Sequence, residues 1–262
     1  MNGKQLKTEI KMTMKDSLDT LLAKRVELDV SFASRLRKSI LQEAIQGRLV
    51  PQDPSDEPAS ALLERIRAEK AKLVKEGKLK KKDLETKPIG EDEISFEIPK
   101  GWEWVRLSDV VNVIMGQSPD GNDVYDAEKN DNAYEFHQGK ICFAEKYIAP
   151  SGKWCKKPSR IAEIGSLLVC VRAPIGDVNI TQRQIGIGRG LAAIMGYCGI
   201  RVDFLYYWML AHKNELVDKG TGSTFKAITV EVLKDQTIPL PPLAEQRRIV
   251  AKIEELFEVI NK

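Results

Sequence analysis

The stretch IPLPPLAEQRRIVAKIEELF, residues 238–257, places a strand-like segment directly before a helix that runs almost to the last residue. Steps of four, three and four residues, the spacing of a coiled-coil seam, separate its apolar positions Ile249, Ile253, Leu256 and Ile260. Leaving four such side chains in water is unfavourable, so the stripe needs a partner. That partner must lie earlier in the chain or in another molecule.

A second helix with an apolar seam is predicted for residues 15–49, where apolar residues recur at steps of three and four and Gly47 is a plausible stop. Leu36 and Ile40 belong to this seam. Three prolines in residues 50–58 then end the helix, and a shorter helix is expected in residues 59–83. We expect the first and last helices to pack antiparallel on each other, on a second copy, or on both.

From Gly101 the chain changes to short β-rich runs separated by Gly, Pro, Asp and Asn. The fold class predicted is therefore α/β (α+β): an irregular domain with short strands, flanked by long helices that form an antiparallel coiled coil. We expect three regions, with an N-terminal helical region and linker at 1–87, the middle domain at 88–240 and a C-terminal coiled-coil helix at 241–262.

Composition favours a cytoplasmic protein without metal or membrane segment. Of 262 residues 42% are hydrophobic and 30% charged, and no apolar run approaches the length of a membrane span. The four cysteines are scattered and the two histidines are not spaced as ligands, so reduced thiols and no zinc site are expected.

The net charge of +3 is unevenly distributed. Residues 138–189 contain nine Lys and Arg against three Asp and Glu, whereas residues 120–135 contain six acids and one lysine. A basic face is therefore possible in the middle domain. Residues 64–83 also carry nine basic residues, which we interpret as a solvated helix face.

Common catalytic patterns are missing, which favours a binding protein. GIGRGL (186–191) lacks the last glycine of a dinucleotide-binding loop, and GTGSTFK (220–226) has Phe225 where a phosphate loop needs glycine. Both are interpreted as turns in which glycine supplies a positive φ. No methyltransferase box or restriction-nuclease carboxylate set is present in the sequence.

Several segments share their pattern with one known family. LRKSILQEAIQGRLVPQDPSDEPASALLERIRAEKAKL (36–73) resembles its conserved helical region, and IPKGWEWVRLSDV (98–110) resembles the start of its target-recognition domain. Residues 175–194, 220–229 and 238–257 resemble its later landmarks and exit helix. The family is that of the specificity (S) subunits of type I restriction–modification systems.

The resemblance implies a reader of double-stranded DNA that has no catalysis or cofactor of its own. Type I methyltransferase (M) subunits would bind S-adenosylmethionine and modify adenine, and restriction (R) subunits would translocate and cleave. A full-length S subunit usually has two recognition domains, each for one half of a split target. With one such domain, this chain would act as a half-subunit that forms a homodimer, or as half of a longer S subunit.

Charge and resemblance together nominate residues for DNA contact. The predicted phosphate contacts are Lys140, Lys146, Lys153, Lys156, Lys157, Arg160, Arg172, Arg183 and Arg189. Loops that the family uses near DNA hold Gln117, Ser118, Thr221, Ser223, Thr224 and Lys226. Trp154 is a candidate for base stacking, whereas Trp102, Trp104 and Trp208 are expected in the core. A solvated surface for any one basic residue, and a turn role for Gln117, stay open.

A different class of function also fits the seams. A helical scaffold or assembly protein would use the middle domain to bind protein and the arms to oligomerise. The polarised basic stretch favours DNA over this alternative.

Overall fold

A computed structural model of the chain describes residues 3–120, 123–126, 132–221 and 226–261, with side chains from residue 20 onward. In this part the helices are α1 (Gly3–Ile45), α2 (Ala59–Lys75), α3 (Leu107–Val110), α4 (Val202–Asp218), α5 (Val230–Lys234) and α6 (Leu243–Ile260). The strands are β1 (Glu103–Arg106), β2 (Val111–Met115), β3 (Val124–Asp126), β4 (Tyr134–His137), β5 (Lys153–Cys155), β6 (Ile161–Ala162), β7 (Leu167–Cys170), β8 (Val178–Ile180), β9 (Ile185–Ile187), β10 (Leu191–Gly196) and β11 (Thr237–Leu240). Among the described helices, none has both the length and the apolar character needed to span a bilayer.

Within the described residues the strands form three sheets. An antiparallel pair joins β1 to β11, and a four-stranded antiparallel sheet has the order β2-β10-β7-β8. A five-stranded sheet has the order β3-β5-β4-β9-β6, in which β4 and β9 run parallel. The predicted fold class, short strands between helical arms, is confirmed.

The four-stranded sheet separates two hydrophobic cores, because side chains alternate between the two faces of a strand. In β7, Leu167 and Val169 face the core that the helices share, whereas Leu168 and Cys170 face a smaller core. Isoleucines of β9 line that smaller core as well. Burial on both faces explains why β7 reads as a continuous apolar run rather than an alternating one.

The Pro-rich opening stretch forms a strand and a helix start. Pro239 of β11 lies opposite Trp104 of β1, in a two-stranded sheet where each strand has one neighbour and a missing N–H is tolerated. Pro242 caps α6 from an extended conformation, and Gln246 Nε2 donates to Pro241 O (3.0 Å). The prolines therefore mark the point where the extended chain turns into α6.

The first and last helices run antiparallel, as predicted. Arg37, in the last third of α1, bonds to Asn261 just beyond the end of α6. Gln52, beyond the C-terminal end of α1, donates to Glu245 Oε1 in the first turn of α6 (2.7 Å). Two contacts in this crossed order are possible only if the helices point in opposite directions.

The seam of α6 is buried within the chain, against α4 of the middle domain as well as against α1, whereas only α1 or a second copy was expected to cover it. Ile249 and Ile253 are buried, and Leu256 and Ile260 are half-buried, in a core that α1 and α4 share. Tyr207 of α4 also stacks edge-on against Phe257 of α6, with ring centroids 5.9 Å apart. Three helices, α1, α4 and α6, therefore bury these side chains, whereas the spacing alone indicated a pair of helices.

The first helix is longer than predicted and its apolar face is covered only near its end. It spans Gly3–Ile45 rather than 15–49, and Gly47, at φ +70°, terminates it as expected. Ile40 is buried, whereas Leu36 is 37% exposed. Further along α1 toward the N-terminus lie exposed apolar side chains, namely Leu21, Leu22, Val26, Leu28, Val30 and Phe32. The uncovered apolar surface is therefore on α1, not on α6.

Because Ile253 has no exposed surface, truncating it should destabilise the fold itself. We expect Ile253→Ala to lower the free energy of unfolding by about 3 kcal/mol, through lost burial and the cavity left behind. Urea denaturation followed by circular dichroism measures this. The matched control is Val259→Ala on the same helix, where the side chain is 64% exposed and a change near zero is expected. Equal effects of the two substitutions would contradict the three-helix seam.

Candidate nucleic-acid interface

The loops that follow β4, β7 and β9 converge around a cavity of about 280 Å³. Its polar side chains are Gln138, Lys140, Arg172 and Arg189. Backbone hydrogen bonds fix the loops to one another, from Gly188 N to His137 O (2.8 Å), Gly190 N to Gln138 O (3.1 Å) and Val171 N to Gly190 O (3.0 Å). Amide and guanidinium groups are thus presented by backbone that is already ordered.

Glycines in GIGRGL allow this close packing, which corrects the interpretation that they supply positive φ. Neither Gly188 nor Gly190 has a positive φ. A Cβ at Gly188 would lie 2.1 Å from Gln138 Oε1, and one at Gly190 would lie 2.4 Å from Gln138 O. Both glycines are needed because the loop carrying Gln138 passes directly over them.

The two arginines at the cavity have no internal partner. Arg172 and Arg189 are exposed, and in the described part of the chain neither guanidinium makes an ion pair or a hydrogen bond. Lys140 differs, since its Nζ lies 2.6 Å from Asp177 Oδ2, and Lys213 pairs with the same carboxylate. Two guanidinium groups that line one cavity, with no neutralising partner among the described residues, make this edge attractive to an anionic ligand.

The predicted loop residues lie next to this cavity. Gln117 N donates to Ile187 O (3.1 Å), and Ser118 Oγ accepts from Gln138 Nε2 (3.0 Å). Lys226, in the loop predicted together with Thr221, accepts through its backbone O from the N–H of Ala173 (3.1 Å), a residue that lines the cavity. Ser223 and Thr224 lie outside the described residues. The sequence therefore nominated two loops that the fold brings to the cavity of Arg172 and Arg189.

A second group of nominated residues lies on and after β5. Lys153 pairs with Asp126 (2.8 Å), and the ammonium of Lys156 lies 5.9 Å from the centroid of the Tyr125 ring. Lys157 and Arg160 are exposed. Trp154 is half-buried within β5, opposite residues of β3 and β4.

Two nominated residues have internal partners instead, so we remove them from the candidate interface. Lys146 pairs with Glu254 of α6, and its ammonium lies 3.7 Å from Asp203 and 5.3 Å from the centroid of the Tyr207 ring. Arg183 donates through Nε to Glu135 Oε2 (2.5 Å) and through Nη1 to Ile148 O (3.0 Å). Composition could not reveal these partners, because they are far away in sequence.

A buried ionic network underlies the Gln138 loop. Burial raises the pKa of the Glu135 carboxyl, but the Arg183 guanidinium, the Ser151 N–H and His137 outweigh it and hold that pKa at about 2. His137 Nε2 lies 2.9 Å from Glu135 Oε1. Burial lowers the pKa of the His137 imidazole, although the neighbouring carboxylate opposes this. The network fixes the end of β4, the residue before Gln138.

Comparison with known proteins shows the family of this chain. A family model described as "Type I restriction modification DNA specificity domain" matches residues 99–262. The chain belongs to this family. The chain is 31% identical to the type I restriction enzyme EcoAI specificity subunit of Escherichia coli, over 94% of its length. It is 36% identical, over 72% of the chain, to the putative MjaX specificity subunit of Methanocaldococcus jannaschii.

Solved structures support the fold of the specificity domain. The HsdS subunit from Thermoanaerobacter tengcongensis aligns with 77% of the chain at a TM-score of 0.57 and 34% identity. A chain from a structure concerned with complex assembly and conformational transition of the type I R-M system aligns at 0.58 and 35% identity. The chain spans about half the length of these proteins, 43% of the EcoAI subunit and 49% of the HsdS chain.

Sequence reasoning missed Gln138 and the network beneath it in this specificity domain. Gln138 was passed over because an isolated glutamine carries no charge signal. The close spacing of Gly188 and Gly190 was the available clue, since glycines packed under a loop indicate a backbone that must be approached closely.

Acid should weaken the specificity domain through Glu135. Its folded pKa of about 2 lies below the ordinary 4.5, so its stabilisation is fully present above 4.5 and is lost as the pH falls toward 2. The pKa of the buried His137 imidazole is likewise lowered from its ordinary 6.5. Its contribution to stability is therefore also lost as the pH falls below 6.5. We expect Glu135→Gln to lower the free energy of unfolding by about 3 kcal/mol at pH 7 and by clearly less at pH 3.

Urea denaturation at both pH values measures the Glu135 effect. The control is Glu103→Gln, which removes an exposed carboxylate. A loss for Glu135→Gln that is the same at pH 3 as at pH 7 would contradict an ionised, stabilising Glu135.

Proposed function

We propose that this chain recognises sequence in double-stranded DNA for a type I restriction–modification complex and performs no chemical step itself. The observation that carries the proposal is a pair of guanidinium groups, Arg172 and Arg189, that have no partner among the described residues and line one cavity with the amide of Gln138. Arginine can bond guanine bidentately in the major groove, and glutamine can bond adenine. The family match favours this reading over the scaffold alternative.

Phosphate contact and base reading are assigned to different residues. Lys153, Lys156, Lys157 and Arg160, on and after β5, would hold the DNA backbone without reading sequence. The loops around the cavity, with Lys140, Thr221 and Lys226 at their margins, would meet base edges and adjacent phosphates. Ser223 and Thr224, outside the described residues, are proposed for the same contacts. Trp154 is half-buried in its strand, so base stacking is the least supported of these roles.

The absence of a chemical step is supported by how the titratable groups near the cavity are used. Asp177 is held by Lys140 and Lys213, and the ring of His137 is buried against Glu135. Neither is free to act as a general base. Methylation of adenine with S-adenosylmethionine and any cleavage would belong to M and R subunits, which the recognition region at 88–240 would position on one half of a split target.

A second recognition unit would be supplied by a second copy of the chain, through α1. Leu21, Leu28 and Phe32 are exposed and lie on one face of α1, at steps of seven and four residues. Two such faces packed together would bury apolar surface that is otherwise in water. A symmetric pair would read an inverted repeat whose spacing depends on the length of the helices.

Reversing charge at the cavity should weaken DNA binding strongly. We expect Arg172→Glu with Arg189→Glu to reduce affinity for duplex DNA by about 10- to 100-fold and to make it less salt-dependent.

Lys156→Glu with Lys157→Glu should weaken binding uniformly across sequences, with a salt slope lower by about one per lost phosphate contact. Gel shifts over a range of salt concentrations measure both effects.

The control for DNA binding is Lys252→Glu on α6, which removes a partly exposed cation paired with Glu255. It should change binding little. If the arginine variants bound every duplex as tightly as the native chain, the cavity would not face DNA.

Self-association should depend on α1. We expect Leu28→Glu with Phe32→Glu to shift the chain toward monomer, because like charges would replace the apolar contact across the pair. Sedimentation equilibrium measures this, with Ile164→Glu, at an exposed isoleucine outside the helices, as control. A native chain that is monomeric and still binds one unrepeated site tightly would refute the paired form.

A further inference from the structure

Ile141 is the most exposed large apolar side chain in the described part of the chain. It is 94% exposed, whereas the next such residues, among them Leu21, Val30 and Ile164, are 65% exposed. It occupies the middle of a single 3-10 turn, Lys140–Cys142, directly after the Gln138 loop. An apolar side chain this far in water contributes nothing to the core, so folding does not explain its position.

The turn that carries Ile141 is firmly held on both sides. Phe143 N donates to Lys140 O (2.8 Å), and Ala149 N donates to Cys142 O (2.9 Å). Cys142 and Phe143 both pack against the smaller core, and Lys140 pairs with Asp177. Ile141 is therefore presented outward from an ordered support rather than left on a loose loop.

Its neighbours would bring DNA to it. Lys140, the preceding residue, lines the cavity together with the unpaired guanidinium groups of Arg172 and Arg189. A duplex attracted to these cations would meet Ile141 at the rim. The amide of Gln138, two residues from Lys140, lies at the same rim.

We propose that Ile141 contacts the C5-methyl group of a thymine in the major groove and so contributes to the choice of target sequence. The methyl is the apolar group that a base pair presents at its major-groove edge, without unstacking. Guanidinium and amide groups around Ile141 suit the same groove, where they can bond guanine and adenine bidentately. Insertion between bases from the minor groove would instead require unstacking and kinking of the duplex.

This assignment rests on the proposed function, and deoxyuridine tests it because it differs from thymidine only by that methyl. Duplexes that the full chain selects from a randomised pool are synthesised again, with each thymine replaced in turn by uracil. One replacement should weaken binding of the native chain about four-fold, the contribution of one buried methyl group. Ile141→Ala should weaken binding to the thymine duplex similarly and be insensitive to that replacement, so the two changes are not additive.

Ile164→Ala, at an exposed isoleucine that follows β6 and lies outside the loops around the cavity, is the matched control and should keep the full effect of the uracil replacement. Fully additive effects of Ile141→Ala and every uracil replacement would overturn the assignment, as would a selected site without thymine. Equal weakening of all duplexes by Ile141→Ala, with loss of DNA bending, would indicate an inserted wedge and also overturn it. In these three outcomes a preferred sequence is still selected, so the proposed function stands. Selection of no preferred sequence would overturn both.

Discussion

The buried carboxylate of Glu245 joins the three parts of this chain. It is 1% exposed, in the first turn of α6, and accepts hydrogen bonds from Trp102 Nε1 (2.9 Å) and Gln52 Nε2 (2.7 Å). Burial raises the pKa of the Glu245 carboxyl, and these two bonds oppose that rise. Since Gln52 follows α1 and Trp102 precedes β1, one side chain fixes both helical arms against the middle domain. An unpaired carboxylate would be costly to bury, so all three segments must assemble together.

Two packed hydrophobic cores connect this junction to the cavity. The helices share one core with the four-stranded sheet, and that sheet shares its other face with the smaller core beneath the loops. At the far side, Glu135 and Arg183 fix the strand end that carries Gln138. The proposed reading of DNA would require side chains held to within a fraction of an ångström, and these packed layers would provide that support.

The charge pattern of residues 138–189 predicted a basic face but could not distinguish its members. Arg172 and Arg183 both belong to this stretch, yet one is exposed without a partner among the described residues and the other is bonded to Glu135. The difference depends on which distant residues approach each guanidinium, 48 residues away along the chain for Arg183. Periodicity failed in the same way for Ile253, because spacing shows that a helix has an apolar side but not which surface covers it.

Local secondary structure was therefore determined by the sequence itself. The Pro-rich turn before α6, the end of α1 near Gly47, the short strands and the apolar stripes of the arms each follow from backbone limits and apolar spacing that act over a few residues. Tertiary structure alone decided that α4 completes the helical seam, that Gly188 and Gly190 make room for Gln138, and that Arg172 and Arg189 meet beside one cavity. The physical reason is that these are contacts between segments far apart in the chain, and their partners are set by how whole sheets and helices pack.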